Sequence, residues 1–162
     1  LRNLAFEPKG RRFVHEEIGW NYRMTNMQAA LGLAQLEKID EVQKKRIALW
    51  EEYFEQLSGN SCFRVPEIPP FATNNAHMFY LNCRSMHERA KLILHLKSKQ
   101  ILSVFHYLPL HNSSYYSNKH DGRLLEKCDY YSDVLLRLPL YFELSPEEQS
   151  LIIDAVSDFY SS

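Results

Sequence analysis

Gly19-Trp20-Asn21-Tyr22-Arg23-Met24-Thr25-Asn26-Met27-Gln28-Ala29-Ala30-Leu31-Gly32-Leu33-Ala34-Gln35 reads as a polar loop that runs into a helix start. Thr25 and Gln28 have the spacing of a capping box, in which the hydroxyl accepts from the N3 amide and the carboxamide reaches back. The Ala-, Leu- and Gln-rich run that follows consists of strong helix formers. Asn21 and Arg23 therefore precede a helix N-terminus, where unpaired backbone N–H groups and the helix dipole favour an anion. The alternative is an ordinary loop whose Asn and Arg face solvent.

Outward from this start, apolar residues recur mostly at steps of three and four from Met27 through Leu31, Ala34, Ile39, Val42, Ile47 and Trp50 to Phe54. The pattern predicts one long helix over 25–57, stopped at Ser58-Gly59-Asn60. At 1.5 Å per residue it would run to about 50 Å, long enough to require a bend or a bridging role. Residues 1–20 read as irregular or as strand ends. Pro66, Pro69 and Pro70 make 64–73 an extended connector. A strand is expected over 75–84, a helix over 86–100 and a short β-rich run over 101–106. A polar, mobile loop over 112–122 follows, then a helix over 124–136 and an extended exit at 137–140. Ser145-Pro146-Glu147-Glu148 is a helix start with a capping Ser, Pro at N1 and Glu at N3. The fold class is α+β: a long N-terminal helix, then a small antiparallel sheet covered by helices.

With 162 residues, a net charge of −1 and 24% charged residues, the chain is an ordinary globular domain with no electrostatic footprint for nucleic acid or an acidic membrane. No apolar run approaches the ~20 residues of a membrane span, and no signal peptide opens the sequence. Cys62, Cys83 and Cys128 are widely spaced and lack a C-x-x-C, as in a reduced, cytoplasmic protein.

Among candidate chemistries, His106-Tyr107-x-x-x-His111 surrounds a Pro-bounded turn. Two histidines without a nearby third ligand are weak zinc spacing, so no metal site is expected. Imidazoles can donate to and accept from sugar hydroxyls or a diphosphate; the alternative is histidines satisfied by backbone. His77 reads as structural. The pairs Tyr115-Tyr116 and Tyr130-Tyr131 fit sugar stacking or, more simply, an interface. Cysteine–histidine nucleophilic chemistry and a glycine-rich phosphate loop both lack support.

The 19–35 stretch resembles the G-x-N-x-R-(M/L) segment of the DegT/DnrJ/EryC1/StrS sugar aminotransferases. Asn75-Ala76-His77-Met78-Phe79-Tyr80, Val104-Phe105-His106-Tyr107-Leu108-Pro109-Leu110-His111 and Leu136-Arg137-Leu138-Pro139-Leu140-Tyr141 resemble the branch that acts on dTDP-4-keto-6-deoxyglucose. Residues 1–35 resemble the GDP-perosamine branch equally. The resemblance implies the C-terminal small domain of a fold-type I pyridoxal-phosphate transferase. Residues 1–20 would then trail from a large domain, and 21–162 would form the small domain with its connecting helix 25–57. It implies Asn21 and Arg23 as contacts to the cofactor phosphate of the other subunit of a homodimer, reached through the 19–35 segment. It also implies His106, Tyr107 and His111 beside the substrate sugar, with glutamate as amino donor. The lysine that binds the family's cofactor lies ahead of the matched region, and none of the lysines here stands in a comparable context. The chain is thus expected to carry no catalytic residue, to be inactive alone and not to hold pyridoxal phosphate by itself. The downstream product, a polysaccharide such as O-antigen or an antibiotic, stays open, as does the nucleotide. A truncated, non-catalytic product and a stand-alone α+β binding module are the competing readings.

Overall fold

The computed structural model describes residues 6–9, 12–15 and 23–161, in two compact units that divide between Asp40 and Glu41. In the first unit, β1 (Phe6–Lys9) and β2 (Arg12–His15) pair antiparallel, with Phe6 opposite His15. Helix α1 (Asn26–Leu36) begins as the sequence predicts: the Gln28 N–H donates to Thr25 Oγ1 at 3.2 Å and the Thr25 N–H to Gln28 Oε1 at 2.9 Å. The continuous helix over 25–57 is corrected to two helices. The chain leaves the α-ladder at Glu37–Lys38, where the Lys38 N–H turns back to Gln35 O at 3.2 Å, and α2 runs from Ile39 to Leu57. The tighter i→i+3 bond satisfies the carbonyl that the break exposes.

The second unit is built on a three-stranded sheet in the order β3 (Phe79–Asn82), β5 (Leu135–Leu138), β4 (Val104–Phe105), with both neighbouring pairs antiparallel. Helix α3 (Met86–Ser98) connects β3 to β4, two parallel strands that are kept apart by β5, so the motif is a split β-α-β. Helix α4 (Glu126–Val134) leads directly into β5, and α5 (Pro146–Ser161) closes the chain. The predicted capping box at Ser145 is present, with the Glu148 N–H 3.1 Å from Ser145 Oγ and the Ser145 N–H 3.0 Å from Glu148 Oε2.

The period-2 rule sorts the sheet into two faces. Phe79, Leu81, Leu136 and Leu138 are buried against Leu49, Trp50, Tyr53 and Leu57 of α2, Leu92 and Leu96 of α3, and Ile152, Ala155 and Val156 of α5. Trp50 meets Phe79 edge-on and Tyr53 stacks on it at 5.1 Å. The opposite face carries the half-buried Tyr80, Asn82, Leu135 and Arg137. The predicted helix over 124–136 therefore ends at Val134, and the 137–140 exit begins earlier, as the central strand. Leucines favour helices, but burying Leu136 and Leu138 on one sheet face outweighs that preference.

Strand β3 is shorter than the expected 75–84 because its approach is tied to α2. The Gln43 side chain donates to Asn75 O at 2.7 Å, Arg46 to Ala76 O at 3.1 Å and to His77 O at 2.7 Å, and Trp50 to Met78 O at 3.2 Å. Positions 43, 46 and 50 share one helix face, so successive carbonyls are taken by side chains rather than by a neighbouring strand. Within this lead-in Ala76 adopts φ +49°, a left-handed conformation held by the Asn74 side chain, which accepts from its N–H at 2.8 Å.

Candidate functional site

Strand β4 delivers the predicted His106–His111 segment, and Pro109 opens a 3-10 turn at Leu110–Asn112. The structure places the named residues in two groups. His106 lies edge-on to Tyr107, ring centroids 5.2 Å apart, and its Nδ1 is buried without a hydrogen-bond partner among the described residues. Tyr107 is 77% exposed, and the Arg137 guanidinium sits 5.8 Å from its ring centroid. This joins the β4 turn to the open face of the central strand.

His111 belongs to the other group. Its Nε2 lies 2.9 Å from Asp129 Oδ1, which also accepts from Asn112 Nδ2 at 3.2 Å, and its ring faces that of His120 at 5.4 Å. With its side chain only 14% exposed, His111 clasps the turn to α4. At the far end of the polar 112–122 segment, His120 Nδ1 accepts from the Gly122 N–H at 3.1 Å, a bond local to the loop. A carboxylate that fixes an imidazole also selects its tautomer, so Asp129 orients His111 whether the ring binds ligand or only folds the loop. No group of three His, Cys, Asp or Glu side chains among the described residues could hold a metal ion.

At the other candidate position, Arg23 is exposed two residues ahead of the α1 N-cap, and the first turn of that helix contains no acidic side chain. The backbone N–H groups at the start of a helix favour an anion, and position 23 lies just ahead of them. Asn21 lies outside the described residues. Helix α1 buries none of its residues, and Met27 is 85% exposed.

The sequence reading did not single out Asp129, His120 or Arg137 as site residues. Arg137 was visible only as a letter inside Leu136-Arg137-Leu138-Pro139, and its position on the open sheet face follows from a strand that the leucines disguised. Asp129 is separated from His111 by a whole loop, so no spacing rule could join them. The tyrosine pairs are exposed and meet edge-on, with Lys119 Nζ 3.6 Å from the Tyr115 ring centroid. Two shallow grooves, of about 580 Å³ between α2 and α5 and about 770 Å³ beside α5 and Pro139, include none of the predicted site residues. No helix among the described residues is long and apolar enough to cross a membrane.

Comparison with known proteins bears on the whole chain. The DegT/DnrJ/EryC1/StrS aminotransferase family matches residues 1–157. GDP-perosamine synthase of Escherichia coli O157:H7 is 30% identical over 164 residues, which cover 99% of this chain and 44% of that protein. The GDP-perosamine synthase of Caulobacter vibrioides is 33% identical, covering 96% and 42%. The crystal structure of the aminotransferase TlmJ from Streptoalloteichus hindustanus superposes with a TM-score of 0.85 at 22% identity, over 98% of this chain and 42% of TlmJ. The chain spans less than half the length of each of these relatives.

Proposed function

The chain belongs to the DegT/DnrJ/EryC1/StrS aminotransferase family, and on that premise we propose that it is the C-terminal portion of a pyridoxal-phosphate-dependent nucleotide-sugar aminotransferase. The reaction moves an amine from glutamate to C4 of a GDP- or dTDP-linked 4-keto-6-deoxyhexose. The observation that carries the reading is the family match along nearly the entire chain, with relatives named as GDP-perosamine synthases. Pyridoxal phosphate, when bound, accepts the amine from the donor and passes it to the sugar.

In this reading Asn21 and Arg23 hold the cofactor phosphate of a partner subunit. Residues 1–20 trail from a preceding large domain, and 21–162 form the small domain. The exposed apolar residues of α1 are covered by that domain and by the second subunit of a homodimer. An eleven-residue helix with no packed face is marginal in water, which supports such a cover. His106 and Tyr107 contribute to the wall around the hexose, and His111 shapes that wall through its Asp129 contact.

The lysine that links the cofactor would come from polypeptide outside this sequence. The 162-residue chain alone should then neither form a borohydride-trappable link to pyridoxal phosphate nor transaminate. A dialysis-resistant, borohydride-sensitive chromophore on it would contradict this. In the full-length enzyme, His106→Ala should slow the sugar half-reaction and leave the glutamate half-reaction near normal. Stopped-flow spectra follow the two halves separately. Equal loss in both would remove His106 from the substrate wall.

A further inference from the structure

We propose that the groove beside α5 docks a cationic amphipathic helix of a partner protein. The groove lies wholly in the second unit and shares no residue with the His106–His111 turn, so the proposal stands apart from the amino-transfer reading.

The groove, about 770 Å³, lies between α5 and the segments 99–102 and 139–144. Its floor consists of the buried core residues Leu144, Ile152 and Ala155. Around that floor Leu102 is 78% exposed, Leu151 65% and Tyr141 44%. Large apolar side chains left in water around one concave surface mark an interaction site. On α5, Glu148, Leu151, Ala155 and Asp158 follow one another at steps of three and four and all line the groove. They form one ridge, which at 1.5 Å per residue is about 15 Å long, or nearly three helical turns. A ridge of this kind is complemented by a second helix laid alongside it.

Charge decides the occupant. Helix α5 carries Glu147, Glu148, Asp154 and Asp158 and neither lysine nor arginine, in a chain whose net charge is only −1. Glu148, Asp154 and Asp158 all line the groove. The ammonium that faces them, Lys99 Nζ, is already held by Asp158 at 2.7 Å, and Asp154 forms no ion pair with any described residue. An anionic lipid surface or a nucleic-acid backbone would be repelled by this rim. A second copy paired two-fold through α5 would set the acidic ridge against itself. A partner helix with one apolar stripe flanked by lysines or arginines satisfies both features. Its stripe covers Leu102, Tyr141 and Leu151, and its cations meet Glu148 and Asp154.

The test uses the full-length protein and, as probe, a fluorescein-labelled helical peptide of about four turns, with leucines at steps of three and four and lysines elsewhere. Fluorescence anisotropy should show saturable binding, and the counterpart with glutamate in place of lysine should not bind. Leu102→Ser combined with Leu151→Ser should weaken binding about tenfold or more, since both leucines lose their apolar cover. Asp154→Lys should weaken it about three- to tenfold, an effect that added salt reduces. Glu51→Lys, the same charge change at an exposed α2 position outside the groove, should leave binding unchanged. These positions are on the surface, so melting temperatures should stay near that of the wild type and the losses report docking. Absence of saturable binding by the lysine peptide overturns the proposal. So does binding that the double leucine variant leaves intact, or that Glu51→Lys weakens as much as Asp154→Lys. Self-association of the full-length protein that the double variant abolishes would assign the groove to a second copy and overturn it too. Binding to phosphatidylglycerol vesicles that the double variant loses would make the groove a membrane face, with the same consequence.

Discussion

Arg46→Met should destabilise the second unit by about 2–3 kcal/mol. The guanidinium donates to Ala76 O at 3.1 Å and to His77 O at 2.7 Å, and the first of these bonds is partly buried. A hydrogen bond from a charged group contributes roughly 1.5–3 kcal/mol when shielded, and far less when water can replace it. The Ala76 bond therefore supplies most of the loss, and the exposed His77 bond adds a few tenths to about 1 kcal/mol. Methionine retains the length and apolar stem of the side chain, so packing along α2 changes little. For a chain of this size the loss corresponds to a melting temperature lower by about 4–12 °C. Denaturant unfolding monitored by Trp50 fluorescence should show a shifted midpoint with an unchanged slope. Arg46→Lys should recover part of the loss, having one donor head where the native residue presents a fork. A change below about 0.5 kcal/mol, within the range of ordinary surface substitutions, would mean that the 75–78 lead-in is held by packing rather than by side chains of α2.

Other outcomes follow from local geometry. Gln100 sits at φ +64° just past α3, with its N–H bonded to Lys97 O and that of Ile101 to Leu96 O, a Schellman ending. Gln100→Gly should stabilise by up to about 1 kcal/mol in thermal melts, because glycine removes the Cβ penalty. Burial pushes the Cys83 thiol up from 9.0 to about 11, against a Tyr160 hydrogen bond that lowers it. The unfolded chain loses that proton first, so the contribution is complete below pH 9 and lost as pH rises to about 11; Cys83→Ala should flatten the stability profile over that window in denaturant titrations. Asp129→Ala removes the acceptor shared by His111 and Asn112, so amide exchange across 112–117 should accelerate by an order of magnitude or more while that of β5 stays unchanged.

What the sequence made legible had local causes. Both capping boxes and the Gly59 stop with its φ of +76° rest on residues close in sequence, and all appear as read. Leu135-Leu136-Arg137-Leu138 was misread because a four-residue strand presents too little alternation to outweigh leucine's helical preference. Its partners, 79–82 and 104–105, are also short. The helix break at Glu37–Lys38 has neither proline nor glycine to announce it. At the candidate site, the turn carrying His106 and Tyr107 was evident from its own composition. The carboxylate that fixes His111 and the arginine beside Tyr107 come from α4 and β5, and only the folded sheet brings them there. The family resemblance itself lies in the stretches around Asn21, His77, His106 and Pro139, which is why it was readable before the topology was.

Sugar amination by the full-length enzyme is assayed by supplying glutamate and, separately, GDP- and dTDP-4-keto-6-deoxyhexose, and following 2-oxoglutarate release together with the mass of the sugar nucleotide. Stoichiometric 2-oxoglutarate and conversion of one of the two keto sugars to its 4-amino derivative are expected. A full-length enzyme that retains pyridoxal phosphate but leaves both keto sugars unchanged would contradict the proposed reaction.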